Sequence, residues 1–146
     1  MKLVVDTNIL FSGILSPRGT ISDLLLNSGD VFTFYAPQFI LEELGAHRAK
    51  ILRLSGHSAD EFELLLRTIL KEVTLISTES IPKGVWDQAV KLAMDVDEFD
   101  IPFVALAIAL EVSLWTGDKK LAKGLKSNGV NWVLNTKDIK AIMGEE

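Results

Sequence analysis

The sequence predicts an α/β protein: a parallel sheet with helices on both faces. Three observations carry this reading: five short apolar runs of strand character, helical stretches between successive runs, and turn-prone or acidic residues at the ends of several runs. In such folds ligands bind outside the carboxyl ends of the strands, where the strand order switches.

Residues 3–6, "LVVD", form a continuous apolar run closed by Asp6, Thr7 and Asn8, the pattern of a buried parallel strand. A helical stretch follows through "ISDLLLNSG" and ends at Gly29, and "VFTFYA" at 31–36 is the second strand. Pro37 opens a longer helix, "PQFILEELGAHRAKIL", because proline is tolerated in a first turn. Ser58 and Glu61 have capping-box spacing at the start of "SADEFELLLRTIL", which predicts a further helix. "VTLIS" at 73–77 is a short strand, and "KGVWDQAVKLAMD" a helix. "PFVALAIALE" is apolar all round, so it is expected to be buried, with alanines that admit close neighbours. "VSLWTGD" gives a strand, "KKLAKGLKSNG" a helix ended by glycine, "VNWVLN" the last strand and "TKDIKAIM" a terminal helix.

A chain of 146 residues fits one domain, 1–146, with a substantial core. It is 48% apolar and 24% charged, the composition of a folded globular protein. There is no cysteine, which excludes disulfides and thiolate metal sites. Any metal must be held by oxygen or by His47 or His57. No signal-like amino-terminal segment is seen, and the uncharged run at 101–110 falls far short of the ~18 residues of a membrane span, so a soluble cytoplasmic protein without membrane partners is expected. Twenty acidic against fifteen basic residues give a net charge of −5, which argues against nonspecific nucleic-acid binding but not against a local basic rim.

A buried carboxylate is costly unless it is paired or binds a metal, and several acids sit where burial is expected. Asp6 and Asp118 end two different apolar strands, although aspartate at such a place also commonly caps the helix that follows. In the helix after Pro37, Phe39, Ile40, Leu41, Leu44, Ile51, Leu52 and Leu54 define an inward arc at ~100° per residue. Glu43 falls inside that arc, whereas Glu42 points away. Pro102 sets the start of the buried helix at about 100–102, with Asp100 at its amino end and Asp97 three residues earlier. Capping needs one aspartate, not two. Acids from four distant segments that converge in one cleft would raise one another's pKa values unless cations neutralise them, and hard oxygen ligands without cysteine select Mg²⁺ or Mn²⁺. His47 is read as a packing or hydrogen-bonding residue. Trp86, Trp115 and Trp132 are read as core rather than as base-stacking platforms.

"VVDTNIL", "LEEL", "DEFDIPFVALA" and "WTGDKKL", in that order over residues 3 to about 121, resemble the PIN-domain ribonucleases, whose prokaryotic members are often toxins of the VapBC toxin–antitoxin type. The resemblance implies a three-layer α/β/α sandwich on a parallel sheet of about five strands, often dimeric. It matches Asp6, Glu43, Asp100 and Asp118 to the family's acidic quartet and Asp97 to an extra acid beside the third. It matches Asn8 and Thr116 to supporting polar residues. One departure is Trp115, bulkier than the aliphatic residue usual there. The implied activity is hydrolysis of RNA phosphodiesters assisted by one or two Mg²⁺ or Mn²⁺ ions, with a small antitoxin protein and a second copy of the chain as partners. Lys119, Lys123 and Lys126, with Lys120 and Arg18, could form a basic rim for phosphates, although a solvated helix face explains such lysines equally well.

Two other readings stand beside this one. A PIN-like module that binds RNA or protein without cutting would keep the same fold. A receiver-like or phosphotransfer domain would also use strand-end aspartates, but it calls for paired acids near the first strand and a lysine ending a late strand, and the sequence has neither.

Overall fold

Five parallel strands lie in the order β3-β2-β1-β4-β5 in the computed structural model, which describes residues 1–144. The first strand, β1 (Lys2–Val5), occupies the middle, and Leu3, Val4 and Val5 are fully buried there, as a continuous apolar run requires. β2 (Thr33–Pro37) pairs with it on one side and β3 (Val73–Ile76) lies beyond. On the other side β4 (Ser113–Trp115) pairs with β1 through Val4↔Leu114 and Val5↔Trp115, and the two-residue β5 (Val133–Leu134) closes the sheet. The chain therefore moves outward in one direction from β1 to β3 and in the other from β4 to β5. The switch point lies between β1 and β4.

Right-handed crossovers place the two groups of helices on opposite faces. On one face lie α1 (Thr7–Leu15), α2 (Thr20–Asn27), α3 (Phe39–Ala46), α4 (Arg48–Ser55) and α5 (Ala59–Leu70), with α1 packed against the other four. On the other face α6 (Lys83–Ala93) packs against α7 (Ile101–Leu110) and α8 (Lys119–Ser127), and α7 lies on β1, β2 and β4. The terminal α9 (Thr136–Ile142) is held by a capping box of Asn135 and Asp138 and packs on β5.

One predicted helix is in fact a pair, and one helix is additional to those predicted. The stretch "ISDLLLNSG" forms α2 as expected, but α1 precedes it at 107°, separated from it because Pro17 pushes Ser16 out of helical geometry. The helix predicted from Pro37 breaks at His47 (φ −95°, ψ 3°), just after Gly45, a poor helix former, and Pro37 itself ends β2. The inward arc is correspondingly narrower than the sequence predicts. Ile40, Leu44 and Ile51 are buried, but Leu41 and Leu54 are 44% and 57% exposed. The capping box at Ser58 and Glu61 forms as predicted, with two reciprocal hydrogen bonds of 3.1 Å.

The core is continuous from sheet to α7. Phe103 to Ala107 are buried in succession, as an all-round apolar helix demands, each large side chain contributing about 1.5–3 kcal/mol. Trp115 is fully buried, 5.8 Å from the Phe34 ring, and its Nε1 donates to Thr136 Oγ1 at 3.1 Å. Its bulk is thus satisfied inside the core, while Trp86 and Trp132 are half-buried against it.

Candidate functional site

Asp6 follows β1 directly, level in the sheet with Thr116, and donates its backbone N–H to the Trp115 carbonyl at 3.3 Å. Its side chain caps α1: Oδ1 accepts the Ile9 N–H at 3.0 Å. The other oxygen, Oδ2, is buried without a hydrogen-bond partner among the described residues. Capping therefore accounts for half of this carboxylate. Asp118 lies two residues beyond β4 and caps α8, its Oδ1 accepting the N–H groups of Lys120 at 2.9 Å and Leu121 at 3.1 Å. Thr116, also buried, accepts the Asp118 N–H at 3.0 Å, which sets the turn that carries the acid.

Glu43, on α3, is half-buried and accepts a hydrogen bond of 2.9 Å from Thr7 Oγ1 in the first turn of α1. Asp97 caps a single 3₁₀ turn, Glu98–Asp100, by accepting the Phe99 N–H at 3.0 Å. Asp100 opens α7 but makes no capping bond with its side chain, and its Oδ2 is the second buried oxygen without a partner. Each aspartate of this pair begins a different element, and only Asp97 caps.

All five acids line one cleft of about 560 Å³ at the carboxyl ends of β1 and β4, the switch point of the sheet. Phe39, Phe99 and His47 also line it, and so does a sixth acid, the exposed Glu42, which helical phase alone would point away from the site. Burial pushes the Asp6 carboxyl up to about 6, reinforced by Asp118 and Glu43 and opposed by the Thr116 hydroxyl and the Ile9 N–H. Burial also pushes Asp100 up to about 7, with Asp97, Asp6, Asp118 and Glu43 all adding repulsion. Glu43 is raised by burial against the pull of Thr7 and His47. His47 stands edge-on to Phe11, with ring centroids 6.2 Å apart.

This cluster suits a hard divalent cation. It offers only carboxylate oxygens, two of them buried and unpartnered, and its charges repel. Among the described residues no three acids or histidines are drawn into a finished coordination shell, so the five predicted ligands share a cleft without forming a cage. Mg²⁺ does not need a cage, because it keeps several waters and takes one or two carboxylates plus substrate phosphates. A larger depression of about 710 Å³ opens at the amino ends of β1 and β4, where Lys2 and Glu111 are the charged lining residues. It lacks the convergent acids of the smaller cleft.

The family model for the PIN domain matches residues 4–141. The chain belongs to the PIN-domain family. Two solved structures share its fold. VapBC2 from Rickettsia felis, bound to a DNA fragment from their promoter, matches with a TM-score of 0.65 at 17% identity, over 92% of this chain and 98% of that one. PAE2754 from Pyrobaculum aerophilum matches with a TM-score of 0.67 at 13% identity, over 99% and 97%. No curated protein matches the sequence.

The basic residues of this PIN domain do not all gather as a rim. Lys119, Lys123 and Lys126 line a depression of about 630 Å³ that shares Asp118 with the acidic cleft and also includes Thr116 and Asn135. Lys120 is exposed but outside that lining. Arg18 lies in the turn after α1, about 14 Å of helix away from Asp6, and lines neither depression. Asn8 is exposed at the cleft and makes no side-chain hydrogen bond among the described residues.

Sequence reasoning missed three features of the site. Thr7 orients Glu43, a contact between distant segments that no local spacing announces. Phe99 is an exposed aromatic wall, lost among the acids of "DEFD". Gly124, inside α8, is where a Cβ would overlap Val96 Cγ2 and fall 3.5 Å from Val96 Cβ. A glycine inside a helix costs about 1 kcal/mol relative to alanine, and here it lets α8, capped by Asp118, approach the segment that carries Asp97.

Proposed function

We propose that this PIN domain is a metal-dependent endoribonuclease whose site is Asp6, Glu43, Asp100 and Asp118, with Asp97 as an additional metal ligand. The observation that carries the proposal is the pair of buried, unpartnered oxygens, Asp6 Oδ2 and Asp100 Oδ2, inside a cleft of mutually repelling carboxylates. Such a pair costs stability and is retained where a cation receives it. A Mg²⁺ or Mn²⁺ ion held by these carboxylates would supply positive charge to a phosphate and acidify a water. Glu43, oriented by Thr7, holds the attacking water. Water adds to phosphorus and gives up a proton to solvent, the P–O3′ bond breaks, and the leaving 3′ oxygen takes a proton from solvent, so the products carry a 3′-hydroxyl and a 5′-phosphate. Asn8 and Thr116 are supporting residues, Thr116 by fixing the Asp118 turn.

The likeness to VapBC2 supports a toxin role, with a small antitoxin protein as partner. A homodimeric, cytoplasmic, single-domain protein completes the proposal. Among the described residues no single helix is long and apolar enough to cross a membrane.

The test is cleavage of a mixed single-stranded RNA pool with Mg²⁺ or Mn²⁺, with a chelator control. Glu43→Gln is expected to lower cleavage by about 100-fold, equivalent to about 3 kcal/mol of lost transition-state stabilisation. Glu42→Gln, exposed and without the Thr7 hydrogen bond that holds Glu43, should leave it nearly intact. Equal losses in both, or cleavage that survives the chelator, would reject the assigned site. RNA binding without any cleavage would favour the non-catalytic module.

The lysine depression is proposed as the track for the strand's phosphates. Single-strand binding loses about 0.7 in its log–log salt slope per phosphate contact removed. Lys119, Lys123 and Lys126 changed together to Gln should therefore reduce the slope by about 2. Arg18→Gln should not change it, and an equal effect of Arg18→Gln would mean that the track runs elsewhere.

A further inference from the structure

We propose that Phe99 is a stacking platform for an unpaired base of the RNA strand, beside the phosphodiester to be cut; this rests on the nuclease reading above. Phe99 is 59% exposed, and of the large apolar side chains exposed among the described residues it alone lines the acidic cleft. An aromatic ring left in water between two aspartates adds nothing to the core.

Its place is fixed by backbone geometry rather than by packing. The Phe99 N–H donates to Asp97 Oδ1 at 3.0 Å, and the Asp100 N–H donates to the Asp97 carbonyl at 3.1 Å. The 3₁₀ turn Glu98–Asp100 thus holds the Phe99 backbone between the two acids, so the ring projects from a fixed point beside them. Half-buried Phe39 stands on the α3 side of the same cleft, so the walls are aromatic where the floor is acidic.

That combination fits a single strand. Unstacked bases present their π-faces to aromatic side chains, whereas bases inside a duplex are already stacked on each other. The acids and the cation act on the phosphate while the ring holds the neighbouring base. Stacking of this kind tolerates any base and prefers those that stack strongly, so purines should bind better than uracil at this position.

The test measures binding of a single-stranded RNA of about 12 nucleotides with Mg²⁺ present, in the full chain carrying Asp6→Asn to suppress cutting. Phe99→Ala should weaken binding by between about 5-fold and about 150-fold, with Phe99→Tyr and Phe99→Trp close to the parent. Phe99→Leu keeps apolar bulk without a π-face and should behave as Phe99→Ala does. The salt slope should stay unchanged, in contrast to the lysine variants. An abasic residue walked along the oligonucleotide should, at one position, remove the difference between parent and Phe99→Ala. If Phe99→Ala binds like the parent while the wild-type chain cleaves RNA, the stacking role is wrong and the nuclease reading stands. If neither the parent nor the wild-type chain binds single-stranded RNA, and the wild type cuts none, both fail. If Phe99→Ala changes only the oligomeric state, the ring is a protein contact and the proposal is overturned.

Discussion

Asp6→Asn is expected to abolish RNA cleavage and, in chelator at pH 7.5, to make the protein more stable. Its carboxyl is almost fully buried and its pKa is raised to about 6 from a reference near 3.8, so ionisation inside the fold costs roughly 3 kcal/mol at neutral pH. Asparagine has nearly the same shape without that charge. Its Oδ1 can still accept the Ile9 N–H that starts α1, and its Nδ2 brings donors to a place where an orphan oxygen now faces Asp118 and Glu43. At about 2–4 °C per kcal/mol the melting temperature should rise by about 6–12 °C. Cleavage should fall by at least about 100-fold, because the strand-end oxygen that would meet the cation is gone. Calorimetric melting beside the RNA assay checks both halves. A lower melting temperature would mean that Asp6 serves chiefly as a helix cap and that its free oxygen is not held at a cost for function.

That tension between local and global roles explains what the sequence makes legible. The alternation of apolar runs with helices predicts the five strands, because burial on both faces of a parallel sheet leaves few polar residues in the runs. Pro102 and the aspartates before it likewise mark the start of α7. The helix α1 and the break at His47 are harder to read, since Pro17 and Gly45 bias the backbone without by themselves deciding where a helix ends. Capping alone accounts for Asp118, yet only half of Asp6 and none of the Asp100 side chain, a distinction that appears when individual oxygens are followed. The Thr7–Glu43 bond joins residues 36 apart, and the Gly124–Val96 approach joins α8 to the Asp97 segment; neither leaves a periodic trace in the chain. The lysines of α8 do leave one, and the structure separates them from Arg18, which shares their charge but not their place.

Divalent cation should offset much of the pH dependence of stability. Asp6 and Asp100 hold their protons more tightly folded than unfolded, with folded values of about 6 and about 7. Between pH ~4 and ~7 the folded chain carries more protons than the unfolded one, so in chelator this pair makes stability fall as pH rises, and its full cost is present above pH ~7. Mg²⁺ binds the deprotonated form, so protons compete with it across the same window. At 100 times its dissociation constant the ion should add about 2.7 kcal/mol at pH 8, or roughly 5–11 °C, and almost nothing at pH 5. Binding near pH 6 should release protons, which calorimetric titration in two buffers of different ionisation heat detects, and near pH 8 it should release few. Asp100→Asn should flatten the chelator profile and weaken the Mg²⁺ response together, because one carboxylate carries both. A Mg²⁺ shift of equal size at pH 5 and pH 8 would place the ion on exposed carboxylates outside this cleft, and the two orphan oxygens would then need another partner.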